Sequence, residues 1–186
     1  MGLCYTGRML AAAHDPIQIG YLADFPQHLP ELAGWLYAEW GQPAPDGSVQ
    51  MAQESLRRRL NKDRLPLALV AVQGETLLGT TSLYRQEMEI RPEYEFWLST
   101  VYVHPSFRRR GIGEQLVQAA AAQAVRLGLP ALYLYTRRPN NVAWYTRLGW
   151  TILERPIYEG SPAVIMVRQL DTANINSQAP PAPAGA

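Results

Sequence analysis

The apolar positions of this 186-residue chain change their period several times. "IQIGYL" (Ile17–Leu22) reads as a first strand. The spacing then becomes three and four, and Leu29, Leu32, Ala33, Leu36, Tyr37 and Trp40 share one helical face. Pro26 suits a first helical position and Gly41 a stop, while Pro30 leaves the start open. Ser48 caps a second predicted helix from Val49 to about Leu60, with Met51, Leu56 and Leu60 facing inward. "LPLALVAV" (Leu65–Val72) and "TLLGTTSLY" (Thr76–Tyr84) are strand-length runs parted by a short turn, which predicts a hairpin. "RQEMEIRPEYE" (Arg85–Glu95) is a charged connection, and "FWLSTVYV" (Phe96–Val103) is aromatic and β-branched, as strands are.

From Gly111 to Leu127 the helical period returns through Ile112, Leu116, Ala119, Ala120, Gln123 and Leu127, and Gly128 ends it. "ALYLY" (Ala131–Tyr135) predicts a strand. "NNVAWYTRLGW" predicts a short helix capped by Asn140 or Asn141 and stopped at Gly149. "TILERPIYE" and "AVIMVRQL" close the pattern as strands. The order β-α-α-β-β-β-α-β-α-β-β mixes helices with a hairpin-built sheet, which argues for a three-layer or open α/β fold with a mixed sheet.

No internal repeat or long linker divides the middle of the chain. The expected organisation is an irregular segment over 1–16, one domain over 17–170 and a loose Pro/Ala-rich tail over 171–186. Hydrophobic content of 47% suits a real core. Seventeen basic residues against sixteen acidic ones leave a net charge of +1, which argues against a general nucleic-acid or membrane-surface binder. The single cysteine, Cys4, cannot form an internal disulfide, and three scattered histidines make no zinc site, so no metal is expected. The apolar runs fall well short of the roughly 18 residues that span a bilayer. "MLAAA" after Arg8 is too short for a signal peptide, so the expected location is cytoplasmic.

The chemistry concentrates at "FRRRGIG" (Phe107–Gly113), between a predicted strand and a predicted helix. The first N–H groups of a helix lack intrahelical partners and carry the positive end of its dipole. Glycines at 111 and 113 let a ligand approach the backbone closely, so the stretch suits a phosphate. It lacks the Lys-Ser/Thr of a Walker motif, and Leu116 stands where a dinucleotide fingerprint needs a third glycine.

Arg108-x-x-Gly111-x-Gly113, preceded by Val103 and Pro105, resembles the coenzyme A signature of the GNAT superfamily of N-acetyltransferases. "YTRLGW" (Tyr145–Trp150) resembles the family's Tyr-x-x-x-Gly-aromatic element, and the resemblance covers about Ile17 to Leu170. It implies a mainly antiparallel mixed sheet with a splayed central strand pair, flanked by helices on both faces. It further implies acetyl transfer from acetyl-CoA to a primary amine by direct attack in a ternary complex. A small-molecule amine is preferred over a protein amine, and a non-catalytic acyl-CoA sensor on the same fold is the alternative. By the same resemblance the turn through Arg108, Arg109, Arg110, Gly111, Ile112, Gly113 and Glu114 holds the cofactor's phosphates. Val101, Tyr102 and Val103 offer backbone to its pantetheine arm, the Val103 amide serves the thioester oxygen, and Asn141 or Asn140 touches the cofactor.

Tyr145 is the implied general acid. Trp97 stands where some members carry a glutamate base, so Glu95, two residues earlier on the same face, is the candidate here, with Glu93 beside it. Trp35 and Trp40 are candidates for the acceptor wall, with Glu39 and Asp46 as partners for an ammonium. "LRRRL" (Leu56–Leu60) reads as a solvated helix face, and His104 as a polar neighbour without catalytic duty. The resemblance leaves room for a homodimer through the C-terminal strands.

Overall fold

The computed structural model describes residues 15–41 and 47–171. The expectations for Cys4, Asp46, most of the first segment and the Pro/Ala tail fall outside them. The strands are β1 (Gln18–Tyr21), β2 (Leu67–Gln73), β3 (Thr76–Arg85), β4 (Phe96–Val103), β5 (Ala131–Thr136), β6 (Thr151–Glu154), β7 (Ile157–Tyr158), β8 (Ser161–Pro162) and β9 (Val164–Gln169). The helices are α1 (Leu29–Leu36), α2 (Val49–Arg57), α3 (Ile112–Arg126) and α4 (Pro139–Arg147). One seven-stranded sheet runs in the order β1-β2-β3-β4-β5-β9-β6. Every neighbouring pair in it is antiparallel except β4 and β5.

The apolar run of β2 has no alternation because both of its faces are covered. Ala68, Val70 and Val72 pack with Leu29, Leu32 and Leu36 of α1 and Leu56 of α2. Leu67 and Leu69 face the other way, toward Val117, Ala120 and Ala124 of α3. The fold is thus the mixed, mainly antiparallel sheet with helices on both faces that the resemblance implies.

The splayed pair is also present. β4 and β5 meet at one register pair, Trp97↔Tyr133. Along β3, Ser82 and Thr80 pair with Ser99 and Tyr102 of β4, so β4 carries one extra residue there. Such a bulge bends the strand that holds it. Thr100 sits in it with φ at 49°, a conformation that β-branched residues rarely adopt. Beyond this point β4 leaves β5 and a gap opens.

The closed end of the gap is filled with aromatic rings. Trp97 is fully buried and its Nε1 donates to the Tyr94 carbonyl at 2.6 Å. Tyr94 stacks on Tyr133 with centroids 4.5 Å apart. The connection between β3 and β4 is tied across to the far side of the sheet. Arg91 donates from Nε and Nη2 to both carboxylate oxygens of Glu154, each at 2.6 Å, and the Tyr158 hydroxyl donates to Glu89 at 2.9 Å.

Several local expectations change. α1 stops at Leu36, and Tyr37–Gly41 forms a wider π-type turn. Ser48 does cap α2, accepting from the Met51 amide at 3.1 Å, but the Met51 side chain is exposed. Arg138, not an asparagine, is the cap residue of α4, because Pro139 takes the first helical position and puts Asn140 and Asn141 inside the helix. "TILERPIYE" is broken into β6 and β7, and β7 pairs with β8 as a separate two-stranded ribbon.

Gly79 of β3 lies opposite Val103. A Cβ there would sit 2.5 Å from the Tyr102 carbonyl oxygen and 3.2 Å from Val103 Cα, both backbone atoms. Gly79→Ala should therefore displace β4 and cost roughly 1–3 kcal/mol of stability in urea unfolding. A midpoint equal to that of the parent protein would show that β4 can yield freely at this point.

Candidate active site

The gap between β4 and β5 leads to two neighbouring cavities that share wall residues. The first, of about 400 Å³, is lined by Val101, Val103, Phe107, Arg108, Arg109, Gly111, Ile112, Gly113, Glu114, Asn141 and Trp144. Its floor is the start of α3. Gly111 is the cap residue with φ at 75°, and no side chain caps the helix. The first intrahelical bond runs from the Gln115 amide to the Gly111 carbonyl at 3.1 Å, so the amides of Ile112, Gly113 and Glu114 have no helical partner. A Cβ on Gly111 would meet nothing within 4 Å, which leaves the cavity open at that point.

The three arginines of the turn separate. Arg108 donates from Nε to the Val103 carbonyl at 2.9 Å and lies over the Tyr102 ring. Arg110 turns away to Gln73, at 3.1 Å, and does not line the cavity. Arg109, with φ at 63°, lines it, and no hydrogen bond or ion pair among the described residues holds its side chain. Tyr102 also departs from the expected set, because its ring points to the other face of β4 against Trp35 and Trp40. Its backbone pairs with β3, as the His104 amide does with the Leu78 carbonyl at 3.0 Å. By alternation, the backbone of Val101 and Val103 points away from β3 toward the gap, where Arg108 already bonds the Val103 carbonyl.

The second cavity, of about 540 Å³, is lined by Glu39, Trp40, Glu87, Leu98, Ser99, Thr100, Val101, Leu134, Tyr135, Thr136, Arg137, Arg138, Asn141, Tyr145 and Glu159. Val101 and Asn141 belong to both cavities and mark their junction. Tyr145 of α4 is 7% exposed and packs against Trp144 and Trp150. Burial pushes its phenol well above the usual range, so it stays protonated. Glu39 and Glu159 are held by Arg138, at 3.3 Å, and Arg137, at 2.8 Å.

The carboxylate that reaches this cavity from the β3–β4 connection is Glu87. Its Oε1 accepts from the Ser99 hydroxyl at 2.6 Å, while its Oε2 is enclosed without a partner. Burial raises its pKa from 4.5 to about 6, against the opposing pull of the Ser99 hydrogen bond and the Arg59 charge.

Tyr145, Asn141, Val101 and Trp40 are thus brought together as the sequence suggests. Glu95 is not. Its carboxylate is half-exposed and paired with Arg85, outside both cavities, and Glu93 stands near Arg91 instead. Trp35 is likewise absent from the cavity wall and lies behind β4 against His104, with ring centroids 4.8 Å apart. Glu87 escapes a sequence reading because it lies in a charged loop whose fold depends on the distant partners Glu154 and Tyr158. "LRRRL" needs the plainest correction: Arg57 and Arg58 are exposed, but Arg59 is 7% exposed and turned into the protein.

Among the described residues no group of three or more His, Cys, Asp or Glu side chains could hold a metal, and no helix is long and apolar enough to cross a membrane. The sequence profile of the Acetyltransferase (GNAT) family matches residues 29–150. The chain therefore belongs to the GNAT acetyltransferase family. It is similar in fold to an aminoglycoside 6′-N-acetyltransferase complexed with coenzyme A, with a TM-score of 0.65 at 20% identity, over 82% of this chain and 96% of that one. A putative acetyltransferase from Salmonella typhimurium, yncA, solved with acetyl-CoA, gives a TM-score of 0.65 at 16% identity over 90% and 99%. The amino-acid acetyltransferase of Aeromonas salmonicida is 28% identical over 106 residues, 57% of this chain but 22% of that protein's length.

Glu87 generates a pH-dependent prediction. Its folded pKa is raised, so its contribution to stability is present below about pH 4.5 and lost as pH rises through about 6. The shift is worth about 2 kcal/mol at pH 8. Glu87→Gln should therefore be more stable than the parent by roughly 1–2 kcal/mol in urea at pH 8, with the advantage gone at pH 4.5. A difference independent of pH would count against an enclosed carboxyl.

Proposed function

We propose that this chain transfers the acetyl group of acetyl-CoA to a primary amine of a small molecule by direct attack in a ternary complex. The observation that carries the proposal is that the two cavities adjoin at Val101 and Asn141, which line both, with a phosphate cradle in one and Glu87 with Tyr145 in the other. The open amides of Ile112, Gly113 and Glu114, beside Arg109, suit a pyrophosphate. The backbone of Val101 and Val103 suits an amide-bearing arm such as pantetheine. Acetyl-CoA, when bound, supplies a thioester carbonyl as electrophile.

The residues around the junction divide the remaining work. Glu87 accepts a proton from the incoming amine, and a pKa of about 6 leaves it mostly ionised yet basic near neutrality. Of these two residues, Val101 lines both cavities and Val103 one. This supports Val101, rather than the Val103 expected from sequence, as donor to the carbonyl oxygen where charge develops. Tyr145, held neutral by burial, donates to the departing sulfur. Trp40 and the Glu39–Arg138 pair wall the acceptor side. A cavity of about 540 Å³ has room for a small amine.

Acetyl-CoA should raise the unfolding temperature. Gly111→Asp, which places a carboxylate in the open cradle, should abolish that rise. Tyr145→Phe should keep it but lower kcat by roughly 100-fold or more, followed as free thiol released with a panel of small amines. Cofactor binding with no turnover on any amine would favour the sensor reading, and an unchanged kcat would remove Tyr145 from the reaction.

A further inference from the structure

The most unusual side chain outside the cavity walls is Arg59. Its backbone is fixed just past α2: its amide donates to the Leu56 carbonyl at 2.9 Å and its carbonyl accepts from the Ala68 amide of β2 at 3.1 Å. From there the guanidinium runs under the sheet. Nη2 donates to the Ser55 hydroxyl at 2.8 Å, and Nη1 to the Ser82 hydroxyl at 3.2 Å and the Thr100 hydroxyl at 3.5 Å. The group lies over the Tyr84 ring at 4.8 Å. No carboxylate of the described residues lies within 4.0 Å, and Nε is buried without a partner.

A buried cation held only by hydroxyls costs several kcal/mol in lost solvation. Its placement accounts for two features of the site. Thr100 is the strained residue of the β4 bulge, and such strain persists only where the surroundings impose it. Ser99, next to it, is the donor to Glu87. Ser99 of β4 bonds Glu87, Tyr135 of β5 lines the same cavity, and Arg59, just past α2, and Tyr84 of β3 act on it electrostatically. Burial raises both phenols, so they remain neutral; the other charged residues of the cavity, Glu39 with Arg138 and Arg137 with Glu159, are paired with each other, which leaves Arg59 as the charge that acts on Glu87.

We propose that Arg59 is the positioning residue of the base: it pins the bulge that presents Ser99 to Glu87 and serves as the buried counter-charge of that carboxylate. The proposal rests on Glu87 being the base of the acetyl transfer. Without Arg59, burial acts on Glu87 with less opposition, and its carboxyl holds its proton to higher pH.

The test needs no acceptor. Full-length protein labelled with 13C at the glutamate carboxyl carbons is titrated from pH 4 to 9 by NMR, with the Glu87 resonance assigned by its absence in Glu87→Gln. Arg59→Met should raise the Glu87 midpoint by about one unit or more, a tenfold gain in proton affinity. Arg59→Gln, which keeps an amide for the same hydroxyls, is the neutral variant to read if Arg59→Met does not fold. Arg59→Lys keeps the charge and should stay within about half a unit of the parent. A neutral variant whose midpoint matches the parent's, or a lysine variant that shifts as far as the methionine one, overturns the role of Arg59 while leaving Glu87 as the base. A parent Glu87 that titrates near 4.5 removes the base reading, and the proposal with it.

Discussion

Everything functional in this protein depends on two parallel strands that pair at one residue and then separate. A parallel pair normally continues, because each further register position satisfies more backbone groups. Here the bulge at Thr100 bends β4 away after Ser99, and the backbone of Val101 and the amide of Val103 face the gap instead of β5, while Arg108 takes the Val103 carbonyl. Unpaired backbone groups are costly only where nothing can bond them. A cofactor arm lined with amides is a natural partner, so under the proposed function the structural defect and the binding site are one feature.

The gap requires a clamp at its closed end. The aromatic set of Tyr94, Trp97 and Tyr133 fills the point where the strands still touch, and the Arg91–Glu154 fork ties the β3–β4 connection to the far half of the sheet. The same tether delivers Glu87 to the cavity. Trp97 shows why a glutamate at that strand position is not available here, since the site is committed to packing. The carboxylate comes from the preceding loop instead, and it stands on the Ser99 hydroxyl that the bulge presents.

What could be read from sequence divides along a physical line. The coenzyme A turn was legible because its chemistry is that of the backbone: glycines, a helix start and a strand end leave a local signature over a few residues. Tyr145 was legible for the same reason, within one short helix. Glu87 and Arg59 were not, because neither side chain has a local pattern that tells it from a surface charge. Each is defined by burial against elements far away in the chain, Arg59 against Ser82 and Thr100 and the Glu87 loop against Glu154 and Tyr158. Trp35 failed in the opposite sense. It stands outside the helical face read from the spacing, and its ring packs against Tyr102 and His104 behind β4 rather than toward the cavity.

This division has a consequence for how the two ends of the site can vary. The donor end is built from main chain, so most side-chain changes leave it intact, and only the glycines and the open helix start are indispensable. The acceptor end is built from side chains on the turn after α1, the β3–β4 connection, β5 and α4, each held by a separate interaction. Replacing Glu39, Trp40 or Glu159 would reshape the acceptor wall without touching the cradle. The buried charges beneath are different, because Arg59 and Glu87 are coupled through their charges rather than through the wall. Under the proposed function, acceptor preference is therefore the freely adjustable property of the site. A change at Arg59 would instead reach the reaction through the proton affinity of Glu87.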